Sequence, residues 1–273
     1  MPADKPQTEK VVIDVEGAVV RLTFNDPSTL NAMGAEMVGE IRDALEYVSD
    51  QGNGFRCLIL TGAGRGFNSG GSVAWMDSAR NEADTGQKRD HGIRLGTHHH
   101  YFLKRLRDLP IPIITAVNGP AAGLGFSYAL IGDMVVAARS AFFLSAFRRI
   151  GVSPDGGLSW MLPRIIGWAR AKELMIMGNR LPAQTALEWG LVNRVFDDET
   201  FMEETMKLAH ELAEGPTVAL GITRRLFWES WSRSYEEQLD LEERLQPLTF
   251  ATSDAIEGGR AMLEKREARF EGR

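Results

Sequence analysis

The chain has 273 residues, 44% hydrophobic and 25% charged, enough for one large core or a core with a small helical annex. A net charge of −6 argues against a nucleic-acid surface, and a single cysteine, Cys57, excludes an intramolecular disulfide framework. The N-terminal MPADKPQTEK has no apolar stretch of a signal peptide and no run reaches a membrane span, so the expected location is cytoplasmic, away from membranes.

Residues 1–10 read as polar and loose. Val11–Val15 and Ala18–Phe24 are β-rich runs parted by Glu16-Gly17, a hairpin signal. A turn cluster at Asn25–Ser28 precedes a helix near Gly34–Ser49, where Met37, Ile41, Leu45 and Val48 share one face. Cys57–Thr61 is a buried strand, and the glycine-rich Gly62–Gly71 follows it directly. Asn81–Arg94 is polar and unpatterned and reads as a mobile loop or frayed helix. Leu95–Leu109 reads as a helix with Leu103, Leu106 and Leu109 inward. Strand Ile111–Val117 leads through Asn118-Gly119-Pro120 into a small-residue run and a helix over Leu124–Ile131. Strands at Met134–Ala138 and Phe142–Leu144 follow, and the alternation favours an α/β core. Beyond Gly156 the chain reads as helical, broken at Pro163 and Gly167, with a short strand at Leu191–Phe196. Helices then run to about Glu264, interrupted at Gly215-Pro216 and Pro247. The expected division is 1–200 for the core and 201–273 for the helical region.

Two strand-to-helix turns stand out: Gly62–Gly71, and the turn around Gly123-Leu124-Gly125. N–H groups at a helix start have no intrahelical partner, and the helix dipole adds partial positive charge there. Two such turns meeting would make a two-donor site for an oxyanion. GAGRG lacks the lysine of a nucleotide-binding P-loop and does not continue as G-x-G-x-x-G. His98, His99 and His100 are consecutive, so on a helix they point about 100° apart and cannot easily share an ion. No metal site is expected.

These glycine turns, with FNDPSTLNAM, LPIPIITAVNG, IGVSPDGGLSWMLPRIIG and the terminal EGGRAMLEKREARFEGR, resemble the crotonase (enoyl-CoA hydratase/isomerase) superfamily over about residues 10–271. RCLILTGAGRGF, VVAARSAFF, PDGG and the C-terminal pattern bring the chain closest to the ring-1,2-epoxyphenylacetyl-CoA isomerases. The resemblance implies a stacked β-β-α spiral and an acyl-CoA thioester substrate. It also implies a C-terminal helical region that assembles a homotrimer or a dimer of trimers. It makes the N–H groups of Gly71 and Leu124 the oxyanion donors. It sets Ala32, Phe67, Ser69, Gly70 and Gly123 along the substrate, and Ser127, Phe147 and His100 at the acyl end. Arg65 and Lys265 would meet the phosphates of CoA, Lys265 across a subunit interface.

Members that hydrate a double bond use two glutamates; the matching positions hold Ser127 and Phe147, neither of them a carboxylate base. Asp155 remains. On pattern alone it reads as a helix N-cap, since aspartate before a helix is ordinary, and the resemblance turns the reading toward catalysis. In the epoxyphenylacetyl-CoA isomerases the matching aspartate is the acid/base, and in the chlorobenzoyl-CoA dehalogenases it is a nucleophile. The dehalogenases also have a catalytic histidine at the position of His100. The favoured expectation is an acyl-CoA isomerase working through a thioester enolate, with Asp155 moving the proton and no cofactor beyond the CoA of the substrate. The alternatives are a hydratase-like lyase and a non-catalytic acyl-CoA binder. Two departures from the family pattern are Ser72, where an aspartate is usual, and Leu124, where glycine or alanine is common.

Overall fold

The computed structural model describes residues 3–81 and 99–273. Strands β1 (Val11–Glu16) and β2 (Val19–Phe24) form the expected antiparallel hairpin. From there β3 (Cys57–Gly62), β4 (Ile113–Val117), β6 (Met134–Ala138) and β9 (Arg194–Phe196) add in parallel, giving the order β1-β2-β3-β4-β6-β9. β3 and β4 are buried along their whole length, so they read as unbroken apolar runs rather than alternating ones. A second sheet orders β5 (Ala121–Ala122), β7 (Phe142–Leu144) and β8 (Arg180–Pro182). β4 runs on into β5, and β6 into β7, so successive turns of the chain supply one strand to each sheet. This is the spiral that the resemblance implied and that periodicity does not reveal.

Helix α1 (Ala35–Ser49) lies on β1 and β2, burying Met37, Ile41, Leu45 and Val48. The N-terminal residues are less loose than their polarity suggests. The Glu40 carboxylate accepts the N–H groups of Glu9, Lys10 and Val11 at 2.9, 2.6 and 2.8 Å, tying the chain entry to α1. Helix α2 (Val73–Asn81) follows the first glycine turn. Ser72, in place of the usual aspartate, caps it: its Oγ accepts the Trp75 N–H at 3.2 Å. The expected loop after Asn81 falls at residues 82–94, outside the described residues, as does His98. Residues 99–108 are helical (α3) and bury Leu103 and Leu106, with Leu109 just beyond.

Helix α4 (Leu124–Ala129) is wholly buried and packs on α5 (Leu158–Ile166). Pro163 lies inside α5 instead of breaking it. The lost N–H costs one bond of the helix ladder, while Leu158, Met161, Leu162 and Ile166 stay buried. Gly167 does end α5, and α6 (Trp168–Met177) starts at once. β8, not foreseen, pairs with β7 before α7 (Ala183–Glu188). The four last helices are α8 (Phe201–Ala213), α9 (Thr217–Ser230), α10 (Tyr235–Phe250) and α11 (Ser253–Glu264). Pro247 sits inside α10 and does not interrupt it. The break falls earlier, where Ser234 and Glu237 form a reciprocal capping box that starts α10 afresh. α8 packs on β2, β3, β4 and β6 and buries Phe201, Leu208 and Ala209 in the main core. A division at residue 200 therefore passes just before a helix that covers the main sheet.

Candidate active site

The two glycine turns meet. Gly62–Gly71 leaves the end of β3, and 118–124 leaves the end of the neighbouring β4. Three asparagines hold them. Asn31, fully buried, donates through Nδ2 to the carbonyls of Ala63, Gly66 and Phe67 at 3.0, 2.8 and 3.2 Å. Asn118 donates to Gly64 and accepts from the Gly62 N–H. Asn68 crosses from the first turn to the second: its N–H donates to Pro120, and its carbonyl accepts from Ala122 at 2.9 Å. Motif reading passes over these amides. Their only sequence signal is an amide side chain beside a turn.

Gly70 has φ +95°, and a Cβ there would stand 2.8 Å from the Ala122 carbonyl oxygen and 3.2 Å from the Leu124 nitrogen. A side chain would close the space between the turns. The Gly70 carbonyl accepts from Met33 at 2.7 Å. In a trans peptide the carbonyl and the next N–H point in opposite directions, so the Gly71 N–H faces away from Met33. Leu124 is the first residue of α4, so its N–H has no intrahelical partner. Among the described residues neither N–H has a protein acceptor. Two backbone donors without acceptors among the described residues thus come from the two turns that meet at Gly70.

Asp155 follows on the α5 side. The Ser127 hydroxyl donates to its carbonyl at 3.0 Å, so Ser127 fixes the Asp155 backbone from inside α4. A Cβ on the adjacent Gly156 would stand 2.7 Å from both Leu124 Cδ1 and Ser127 Cβ, so this turn lies flush against α4. The cap alternative fails here. The N-cap of α5 is Gly157 with no side-chain cap bond, and the buried Asp155 Oδ1 has no hydrogen-bond partner among the described residues. Burial raises the Asp155 pKa above the usual carboxylate value; the charge of His100 and its own backbone N–H partly oppose the rise.

The other expected residues scatter. Ala32 is half-buried between Asn31 and Met33, and Met33 pairs with Gly71. Ser69 donates to the Thr29 carbonyl. Gly123 is the N-cap of α4 and donates to Leu144. Phe67 is fully buried, packing edge-on against Phe24 at 5.7 Å, so its ring belongs to the core and not to a ligand surface. Phe147 is buried on the short 3-10 turn Ala146–Ile150. Arg65 is exposed on the first turn, with no ion pair among the described residues. Lys265 is exposed at the C-cap of α11, its backbone N–H donating to Ala261 and Met262. Its neighbour Arg266 is bound to Glu257 and Glu264. His100 lines a groove of about 1220 Å³ bounded by α3, α5 and α9, into which Gly156, Trp160 and Trp228 also face. The Trp160 and Trp228 rings stack with centroids 6.1 Å apart. Cys57, buried in β3, has its thiol pushed up to about 12 by burial and is inert. Among the described residues no group of histidine, cysteine and carboxylate side chains could hold a metal, and no helix is long and apolar enough to cross a membrane.

A double-sheet spiral of this connectivity defines a protein of the crotonase fold. The model of the enoyl-CoA hydratase/isomerase family matches residues 14–273, and the chain belongs to that family, whose members act on acyl-CoA thioesters. It is 41% identical over 265 residues to the 1,2-epoxyphenylacetyl-CoA isomerase of Escherichia coli (strain K12), covering 97% of this chain and 99% of that one. It is 30% identical over 268 residues to a crotonyl-CoA hydratase of Syntrophomonas wolfei, covering 96% and 98%. A crystal structure of an enoyl-CoA hydratase from Polaromonas sp. JS666 superposes with a TM-score of 0.88 at 33% identity, covering 95% of this chain and 99% of that one.

Proposed function

We propose that the chain is an acyl-CoA isomerase in which Asp155 carries a proton between two carbons of the acyl group. The observation that carries this reading is the buried Asp155 carboxyl oxygen beside α4, which has no hydrogen-bond partner among the described residues. The thioester oxygen accepts from the N–H groups of Gly71 and Leu124. Asp155 removes the C2 proton of a 3-enoyl thioester, and the C–H electrons form the enolate. The enolate then collapses: C2=C3 forms, the former C3=C4 electrons take a proton at C4 from Asp155, and the carboxylate is restored. A raised carboxyl pKa suits both halves of that transfer. The same enolate chemistry would rearrange a ring epoxide, the reaction type named for the Escherichia coli relative. Losing one oxyanion donor typically costs about 10²–10³ in rate.

Hydration is disfavoured by what stands at the two glutamate positions. The Ser127 hydroxyl is occupied by the Asp155 carbonyl, and Phe147 offers no acid or base. No cofactor is assigned beyond the CoA of the substrate, and Arg65 is assigned to its phosphates. Exposed apolar residues on α10 and α11, among them Phe250, Ile256, Met262 and Leu263, support self-association through the C-terminal helices into a trimer or a dimer of trimers. Lys265 of a neighbouring copy would then reach the CoA.

The test is product identity. Purified protein given a 3-enoyl-CoA should yield the 2-enoyl-CoA, seen by mass spectrometry and NMR. A 3-hydroxyacyl-CoA as the first product from 2-enoyl-CoA would favour the hydratase reading. Tight binding with no turnover of any thioester would favour the binder.

A further inference from the structure

Asn68 is fully buried and ties three separate segments together. Its Nδ2 donates to the Asn31 carbonyl at 2.5 Å, fixing it to the turn before α1. Its Oδ1 accepts the Gly70 N–H at 2.8 Å, a side-chain-closed turn that sets the direction of the Gly70 peptide. Its backbone pairs with Pro120 and Ala122 of the second glycine turn. The first turn of α4 rests directly on it: a Cβ on Gly125 would stand 2.1 Å from the Asn68 carbonyl oxygen. The backbone of Asn68 thus joins the two glycine turns, while its carboxamide fixes Gly70 and ties the first turn to Asn31.

We propose that Asn68 is the positioning residue of the oxyanion hole, its carboxamide holding Gly70 so that the Gly71 N–H converges with that of Leu124. The proposal rests on the reading of those two N–H groups as the thioester-oxygen donors. The Gly70 peptide is gripped on both flanks, its N–H by Asn68 and its carbonyl by Met33. With the Asn68 grip removed, the Gly70 N–H and the Asn31 carbonyl lose their partners, and the Gly71 N–H is free to swing. The ligand would still bind through its CoA portion, because Asn68 has no exposed atom to offer it.

The experiment uses the full chain and a 4-(dimethylamino)cinnamoyl-CoA, whose absorbance moves to the red when its carbonyl is polarised. Asn68→Ala and Asn68→Ser are compared with wild type for this red shift, for Kd and for kcat. Serine retains an acceptor for the Gly70 N–H but loses the donor to Asn31, so it should fall between wild type and alanine. The expected result for Asn68→Ala is loss of most of the red shift, a kcat lower by about 100-fold as for an ångström-scale misplacement of a catalytic contact, and a Kd within about threefold of wild type. Full red shift and full kcat in Asn68→Ala would overturn the proposal. If Asn68→Ala does not fold, Asn68→Ser decides: a clearly diminished shift supports the positioning role, and an unchanged one refutes it. A wild-type protein that binds the probe with no red shift would overturn the oxyanion-hole reading itself.

Discussion

Replacing Gly125 by alanine should damage catalysis more than stability. The added Cβ would stand 2.1 Å from the Asn68 carbonyl oxygen and 2.7 Å from its side-chain oxygen. Non-bonded heavy atoms rest about 3.5–4 Å apart, so α4 and the first glycine turn must part by roughly 1 Å or more. The nearest opposing atoms are backbone, so no rotamer change relieves the contact. Over-packing of this kind costs about 1–3 kcal/mol. Alanine's better helix propensity returns about 1 kcal/mol of that. The net loss of about 0–2 kcal/mol lowers the melting temperature by at most about 8 °C in a chain of this size. If the Leu124 N–H holds the thioester oxygen as proposed, the same displacement carries it off that oxygen, and a misplacement of that scale costs about 100-fold in rate. The assay is kcat for double-bond migration in a 3-enoyl-CoA, with a thermal melt on the same samples. An alanine variant whose kcat stays within about threefold of wild type, a barrier change of under about 1 kcal/mol, would refute the claim that contact between the two turns sets the reaction geometry.

Other perturbations separate the roles further. Burial raises the folded-state pKa of Asp155, so its stabilising protonated form is fully present below the unfolded pKa and is lost as pH rises through the folded one. Asp155→Asn should therefore unfold at higher denaturant than wild type at pH 8 while losing turnover; a less stable variant would show that the carboxylate has a partner. For the same reason the acid limb of kcat/KM should lie above the usual aspartate value of about 3.9, and His100→Gln, by removing a charge that lowers the Asp155 pKa, should move it higher still. A limb that moves to lower pH would exclude the pairing. The Tyr128 hydroxyl is buried without a hydrogen-bond partner among the described residues, so Tyr128→Phe should leave stability equal or raise it by about 1 kcal/mol; a clear loss in urea unfolding would contradict this. Buried Arg224 bonds Asp133 at 2.7 Å and the carbonyls of Leu106, Arg107 and Leu109 at the end of α3. Arg224→Met should cost about 1.5–3 kcal/mol, because the end of α3 and the partly exposed Asp133 lose a charged donor, while Asp133 keeps the Ile113 N–H; a loss below about 1 kcal/mol would show that water replaces it.

What the sequence discloses and what it hides follow from range. The hairpin at Glu16-Gly17, the inward face of α1 and the two glycine turns are written in neighbouring residues, and all are found in place. Pro163 and Pro247 mislead because the local cost of a proline is outweighed by burial of Leu158 and Leu162 in α5 and of Leu241 and Leu245 in α10. β8 is three residues long and is made by its pairing with β7, which no local pattern announces. The spiral itself came from family resemblance, since strand alternation fits many α/β arrangements. Asp155 is the sharpest case. A cap and a proton carrier look alike in Pro154-Asp155-Gly156, and only the third dimension removes the cap, by leaving Oδ1 unbonded among the described residues and passing the cap position to Gly157. The asparagine braces were equally out of reach, because Asn31 and Asn68 act on partners more than thirty residues away.

The proposed role of Asp155 as proton carrier is open to a direct test. Wild type and Asp155→Asn should be incubated with a 3-enoyl-CoA in deuterated water and the acyl group read by mass spectrometry and NMR. Wild type is expected to shift the double bond and take up deuterium at the acyl carbons that exchange, while the variant binds the thioester and does neither. Deuterium uptake by Asp155→Asn at the wild-type rate would contradict the account.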